Sequence, residues 1–279
     1  MQRIFKTRKI LSQFRHKEDR WPVFIVLILT IIDFALYFTI NNIALLGSYY
    51  LLMVLPKGII CAWNHHHQHL FTFRNTLLNR GLEVAYALHT GVTTHLWRLH
   101  HVLGHHLNFL NQEQDESRWK RKDGTRMGMA EYTLNVALTA YTRGYGVGKK
   151  YPKQLKPFLV YTAITFIFVA VLVWHKPAAG LMLFVLPMIT SLLFTAYVTY
   201  EHHSGLDTEN EFEASYNNLD PFFNRLTGNL GYHTAHHHKQ GVHWSKLPEL
   251  HAKIEDRIPA NLYQKAIFSR IFLGGRISS

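Results

Sequence analysis

Histidine is distributed unevenly along this chain. There are 20, yet only His16 precedes residue 64 and only His175 lies between residues 107 and 201. The others fall mainly in four bunches: Asn64-His65-His66-His67-Gln68-His69, His100-His101-Val102-Leu103-Gly104-His105-His106, Glu201-His202-His203, and Gly231-Tyr232-His233-Thr234-Ala235-His236-His237-His238. A purification tag would form one terminal run, and none is present. On a helix, residues four apart share a face, which pairs His65 with His69 and His101 with His105, with His106 beside them. His233 faces His236 and His237 in the same way. Such imidazole pairs suit a divalent metal bound at about 2.0–2.1 Å. Eight or nine ligands are too many for one ion and about right for two. Imidazole serves iron, copper, nickel and zinc alike, so the donor type does not name the metal. A zinc peptidase is disfavoured, because His66 stands where an HExxH helix carries its general base. Cys61 is the only cysteine, which excludes an internal disulfide, a cysteine zinc finger and an iron–sulfur cluster carried by this chain.

The elements that must position these histidines are apolar. Four stretches, 22–40, 43–63, 157–174 and 178–200, approach the roughly 20 residues that a helix needs to cross a bilayer core. They predict two hairpins, turning at Asn41-Asn42 and at His175-Lys176-Pro177. Seven Lys/Arg precede Trp21, thirteen lie between residues 64 and 156, eight follow Tyr200, and the two turns hold none and one. By the positive-inside rule, both termini and the long middle segment are expected on the cytoplasmic side. The first stretch lacks a small-residue cleavage site and leads straight into a second span, so it is not read as a cleaved signal. The predicted fold is all-α and integral to the membrane: four transmembrane helices in two hairpins, with a cytoplasmic helical cap (64–156 and 201–279) carrying the histidine boxes. It is read as a single domain over residues 1–279.

Two ionisable residues lie inside spans. Asp33 and Lys57 can pair with another helix or line a substrate cavity, but Lys57 is expected to snorkel toward the cytoplasmic surface. Residues 82–106 read as one or two partly apolar helices at the interface. Residues 111–128 and 143–156 read as basic loops. The net charge of +12 suits an anionic membrane surface or an acidic partner. Four long apolar spans argue against a soluble nucleic-acid-binding protein.

At the histidine bunches the sequence resembles the membrane fatty acid desaturase superfamily of lipid desaturases, hydroxylases and ketolases. Residues 65–69, followed by Asn79-Arg80, look like its HDxGH box, with His66-His67 where the family often has Asp and a small residue. Residues 101–106, with Asn108 and Asp115-Glu116, resemble HRxHHxxT…DE. Asn229-Leu230-Gly231-Tyr232-His233-Thr234-Ala235-His236-His237 is close to NxGYHxxHH, and Ser245-Lys246-Leu247-Pro248 matches its downstream tail. Glu201-His202 resembles the extra histidine of the fourth helix. The likeness covers roughly residues 21–251.

The resemblance implies a pair of iron ions (Fe2+) that activates oxygen and removes hydrogen from an unactivated carbon. Carried over position by position, the ligands are His65, His69, His101, His105, His106, His202, His233, His236 and His237, with no catalytic residue beyond them. His66, His67, His100, His203 and His238 are read as neighbours of ligands, and His89, His95, His243 and His251 as ordinary polar residues. Glu201, Asp115, Glu116, Asp207 and Asp220 are candidates to orient imidazoles by accepting the distal N–H. The expected reaction introduces a double bond into a long-chain fatty acyl or related lipid. Alternatives are a hydroxylase, ketolase or decarboxylase acting on an alkane, fatty acid or carotenoid, and, in another class, a histidine-rich membrane metal transporter. Molecular oxygen is the co-substrate. No nucleotide fingerprint or haem segment is present, so an external electron donor such as a ferredoxin or a haem carrier is expected, docked on basic loops such as Lys120-Arg121-Lys122.

Overall fold

A computed structural model describes residues 12–264; the basic residues before Ser12 and the last part of the expected cap, 265–279, lie outside them. The long helices are α1 (Arg20–Thr39), α2 (Ile43–His69), α3 (Thr76–Thr90), α4 (Met129–Gly148), α5 (Pro152–His175) and α6 (Pro177–His203). Short helices follow: α7 (Pro221–Thr227), α8 (His233–His238) and α9 (Leu247–His251). Two π-helical turns interrupt the pattern, Arg98–Leu103 and, within α6, Leu181–Val185. Among the described residues there is no β-strand, only isolated bridges.

Four helices, Lys17–Thr39, Ile43–His69, Pro152–His175 and Pro177–His203, are long and apolar enough to cross a membrane. Their outward side chains include Trp174 (89% exposed), Leu52 (73%) and Leu51 (71%). Exposed apolar side chains along four successive helices suit contact with lipid rather than water. The helices begin and end where local chemistry dictates. Asn42 caps α2 by accepting from Leu45 N at 3.1 Å. Asn75 caps α3 through Leu77 N and Leu78 N, and Pro152 and Pro177 occupy first-turn positions that need no N–H. Gly91 ends α3 with φ 67°, and a Cβ there would lie 2.4 Å from Met188 O.

Two of these helices continue past the apolar stretches that announce them. α2 runs six residues beyond Trp63, and α6 three beyond Tyr200, so the first and third histidine bunches ride on the last turns of continuous helices. The segment 143–156 is not the expected loop. α4 extends to Gly148 and α5 starts at Pro152. Buried Tyr132, whose hydroxyl donates to Ser117 O at 3.0 Å, anchors a helix that its glycines alone would disfavour.

The chain divides into two compact units, with boundaries after Arg98, Val147 and Leu192. In the first unit α3 packs against α1, α2, α5 and the π turn of α6, and its second half is buried. Tyr37, Leu46, Leu88, Val169, Leu172, Leu183 and Phe184 form one apolar cluster there, and Val23, Val26, Ile60, Leu82 and Tyr86 another. Lys57 does not snorkel. Its Nζ donates to Asp33 Oδ2 at 2.7 Å and to Leu183 O at 3.1 Å, and both charged side chains are fully buried. Tyr49 donates to Asp33 Oδ1 at 2.8 Å, and His89 Nδ1 lies 3.4 Å from Asp33 Oδ2. Among apolar neighbours a lysine stretched toward distant water gains less than one paired with a carboxylate and a carbonyl. The second unit holds α4, the end of α6, α7–α9 and the loops around them. Its apolar cluster is Phe212, Ala235, Ile254, Ile258 and Leu262.

Candidate metal centre

In the second unit the histidines sort into two groups of three. His101, His106 and His236 bring one ring nitrogen each within 4.8 Å of one another, and so do His105, His203 and His237. Each tandem pair is therefore divided: His105 and His237 belong to one group, His106 and His236 to the other. Just after the π turn, His101 O accepts from both His105 N–H at 3.1 Å and His106 N–H at 2.8 Å, a four- and a five-residue step at one carbonyl. The Nε2 atoms of His101 and His106 are 3.0 Å apart. Gly104 allows this turn: a Cβ there would lie 2.5 Å from His100 O and 2.6 Å from Glu116 Cγ.

The last box is held by its surroundings. Thr234 N donates to Asn217 Oδ1 at 3.0 Å, while Asn217 Nδ2 donates to Thr234 Oγ1 at 2.8 Å. This two-way clamp fixes the first turn of α8. Gly231 N donates to Asn224 Oδ1 at 3.0 Å, and a Cβ at Gly231 would lie 2.0 Å from Asn218 O. Asn229 takes the left-handed φ of 61° and donates to Trp244 O at 3.2 Å. The Asn, Gly and Thr of this box thus carry backbone geometry, and its histidines face the groups.

Whether a metal fits can be judged from protons. His105 Nδ1 lies 2.8 Å from Asp115 Oδ1, and His203 Nδ1 lies 2.9 Å from Ala214 O. Both partners accept, so in the neutral rings the proton sits on Nδ1 and each Nε2 is a lone pair. Those two Nε2 atoms are 3.3 Å apart. Two acceptors at that distance share no hydrogen bond, and a cation between them would be bound by both. Ligands about 2.0–2.1 Å from one ion at a right angle lie about 3 Å apart. Neither nitrogen of buried His237 has a hydrogen-bond partner among the described residues. Burial first, then neighbouring imidazoles, holds His237 and His233 well below the ordinary histidine pKa, which leaves their lone pairs available. The residues fit a pair of imidazole-ligated ions.

The other expected site residues are placed as follows. In the first unit His65 and His69 lie one turn apart on α2, both with a ring nitrogen within that same 4.8 Å of one another. His233 Nε2 is 3.0 Å from His203 Nε2. His202 stands outside both groups, its ring stacked on His233 at 3.8 Å and its Nδ1 3.4 Å from Tyr216 O. His203, read from sequence as a ligand's neighbour, takes the inward position. Nothing in the pair of identical letters distinguishes them; only the rotation of α6 does. Of the acids, Asp115 contacts a grouped imidazole. Glu116 is half-buried and accepts at its backbone oxygen from Arg143. Asp207 pairs with Lys120 at the surface, Asp220 caps α7 by accepting from Phe223 N at 2.7 Å, and Glu201 is half-buried outside both groups.

The remaining histidines have local roles. His67 contacts Thr72 Oγ1 at 2.9 Å and Glu83 at 3.6 Å, and Glu83 is also paired with Arg80. His238 contacts Glu211, His243 caps the turn at Ser245, His251 meets Tyr263, and His95 Nδ1 meets Gln154 O. Buried Glu83 and the Asn217 clamp were not anticipated. Asn217 lies far from every histidine box in sequence, so no spacing signal marks it.

The comparisons with known proteins agree with this picture. A family model described as fatty acid desaturase matches residues 40–267. No curated protein and no solved structure matches the chain. The matched stretch takes in most of the 279 residues and every histidine bunch. A match of that extent, on a chain with four helices apolar enough to cross a bilayer and with clustered imidazoles, makes it a member of the fatty acid desaturase family of membrane oxidoreductases.

Proposed function

We propose that the protein is an oxygen-dependent di-iron desaturase that introduces a double bond into a long-chain fatty acyl group or related lipid. The observation that carries this reading is the pair of facing lone pairs on His105 and His203, 3.3 Å apart and fixed from behind by Asp115 and Ala214. In this reading one ion is held by His101, His106 and His236, and His65 and His69, one turn apart on α2, are a further ligand pair. The other is held by His105, His203 and His237, with His233 adjoining and His202 stacked behind it. Two ferrous ions there would supply oxygen activation and the removal of two hydrogens from neighbouring methylene carbons.

The chain's own contribution is positioning. Asp115 keeps the His105 proton on Nδ1, which leaves Nε2 to face inward and strengthens it as a donor. Ala214 O does the same for His203 without adding charge. The Asn217–Thr234 clamp sets the height of α8 and hence of His236 and His237. Burial of every imidazole in both groups keeps bulk water from the reacting carbon and shields reactive species from side reactions.

The hydrocarbon reaches the site from the bilayer, with both termini and the histidine boxes on the cytoplasmic side, a reading supported by the lysines and arginines flanking the apolar stretches. Electrons come from an external one-electron carrier. Two electrons and two protons per turnover, with the two hydrogens taken from the substrate, reduce oxygen to two waters. Metal analysis with Mössbauer spectroscopy on detergent-purified protein is expected to give about two irons per chain. Lipid profiling in a host without desaturases is expected to show acyl chains lighter by two hydrogens. Gain of an oxygen atom instead would establish a hydroxylase, and protein holding zinc without oxygen-dependent products would favour a metal transporter.

A further inference from the structure

Helix α6 carries a proline, Pro187, between its start at Pro177 and its end at His203. Proline has no N–H, and in an α-helix its ring presses on the carbonyl four residues back. That carbonyl is Leu183 O, inside the π turn Leu181–Val185. The turn closes with Leu186 N–H donating to Leu181 O, a five-residue step. A turn widened in this way absorbs one extra residue and relieves the clash. In a bilayer core, a carbonyl that loses its α-helical donor needs another. Lys57 Nζ donates to Leu183 O at 3.1 Å, and Asp33 Oδ2 accepts from the same ammonium at 2.7 Å. One turn further along α2, Cys61 Sγ donates to Ser191 O at 3.4 Å. Helix α2 therefore grips main-chain oxygens of α6 on either side of Pro187.

The extra residue is felt at the far end of the helix. After the turn, α6 runs unbroken from Leu186 to His203. Each residue of an α-helix adds about 100° of rotation, so one residue absorbed in the turn sets everything after it back by that angle. Residue 203 then stands where residue 202 would stand on a straight helix. The same one-residue offset separates His202, the ligand expected from sequence, from His203, whose Nε2 faces that of His105 at 3.3 Å.

We infer that Lys57 and Pro187 are positioning residues for the metal centre: together they hold the π turn open and so select His203 over His202 as the inward-facing imidazole. The inference rests on the di-iron reading above and adds what decides between two adjacent histidines. Both residues act through the rotation of α6. Pro187 denies Leu183 O its usual donor, and Lys57 satisfies that oxygen where it stands, so the straight helix gains nothing by re-forming.

The test straightens the turn in the full chain, purified in detergent. Pro187→Ala restores the N–H, Lys57→Met removes the side-chain donor, and Asp33→Asn avoids a stranded carboxylate. In this triple variant residue 188 should take the place of 189, and 202 that of 203. Iron-free protein reports the rotation directly. Ile189 is 51% exposed and Met188 6%. In a Cys61→Ser background, Ile189→Cys should therefore react with a lipid-soluble thiol reagent faster than Met188→Cys, and the triple variant should reverse that order. After iron loading, His203→Ala should lose iron in the otherwise native chain, and His202→Ala should lose it in the triple variant. Deleting Met182 from the triple variant takes out the extra residue. It should bring back the native labelling order and the dependence on His203, even where the triple variant alone is too unstable to label. An unchanged labelling order overturns the inference, and so does a deletion that restores nothing. A reversed order in a protein that binds no iron in any form, native included, overturns the di-iron reading and leaves the control of α6 by Lys57 and Pro187 standing.

Discussion

An imidazole anchored at one nitrogen has its other nitrogen aimed, and His105 and His203 are aimed at each other. His203→Ala removes one of the two facing lone pairs, whereas His202→Ala removes a ring stacked behind His233. Iron content measured after reconstitution is therefore expected to fall toward one per chain in His203→Ala and to stay nearer two in His202→Ala. Asp115→Asn keeps the shape but loses the charge behind His105. Outer-sphere changes of this kind cost about 10–100-fold in metal affinity, so iron titration is expected to show one weakened site and one unchanged. At this scale the sequence announced which residue types gather but not how they are shared. The assignment of His101 with His105 followed from an α-helical step of four. His101 O instead takes both the four-residue bond from His105 and the five-residue bond from His106, and the two rings go to different groups. The choice between His202 and His203 depends on helix rotation, which packing sets and a pair of identical residues cannot encode.

At the scale of elements, the last box shows how few residues fix a helix of six. Thr234 Oγ1 accepts from Asn217 Nδ2 at 2.8 Å and lies 2.9 Å from Ser215 Oγ. Thr234→Val strands the Asn217 donor in a buried position, at a cost of about 1–3 kcal/mol. Lowered thermal stability together with a changed Mössbauer spectrum is the expected outcome, and Thr234→Ser should restore both. The four apolar helices were legible because a bilayer demands length and apolarity that little else mimics. Their ends were less so: polar histidines extend α2 to His69 because its backbone hydrogen bonds continue regardless of side-chain polarity. In α3, whose residues read as only partly apolar, the polar groups find partners inside, Glu83 in Arg80 and His89 in Thr30 at 2.9 Å.

Across the whole molecule, buried neutral histidines make stability depend on pH. Burial first, then the Lys57 charge, lowers His89 from 6.5 to about 3. Burial likewise lowers His95 to about 4 and His100 to about 3. A group whose folded pKa is depressed takes up its proton more readily when unfolded. Stability is thus full above pH 6.5 and falls as pH drops from there toward 3, by up to about 1.4 kcal/mol per pH unit for each such group. Melting of the detergent-solubilised protein between pH 4 and 7 should show this slope, and His89→Gln should flatten it by one proton's worth. The Asp33–Lys57 pair gives a second expectation. Lys57→Met leaves the buried Asp33 carboxylate without its counter-charge and should destabilise by about 3–5 kcal/mol, while adding Asp33→Asn should recover most of that loss.

That pair also bears on how the chain enters the bilayer. A lone aspartate or lysine at the centre of a span adds about 2.5–3.5 kcal/mol to the free energy of partitioning from the translocon. Asp33 and Lys57 are 24 residues apart, on helices joined by residues 40–42. Neither helix is comfortable in lipid before the other emerges from the ribosome. The first two spans are therefore expected to leave the translocon together, and a nascent chain truncated between them should remain extractable by alkaline carbonate until Lys57 is synthesised.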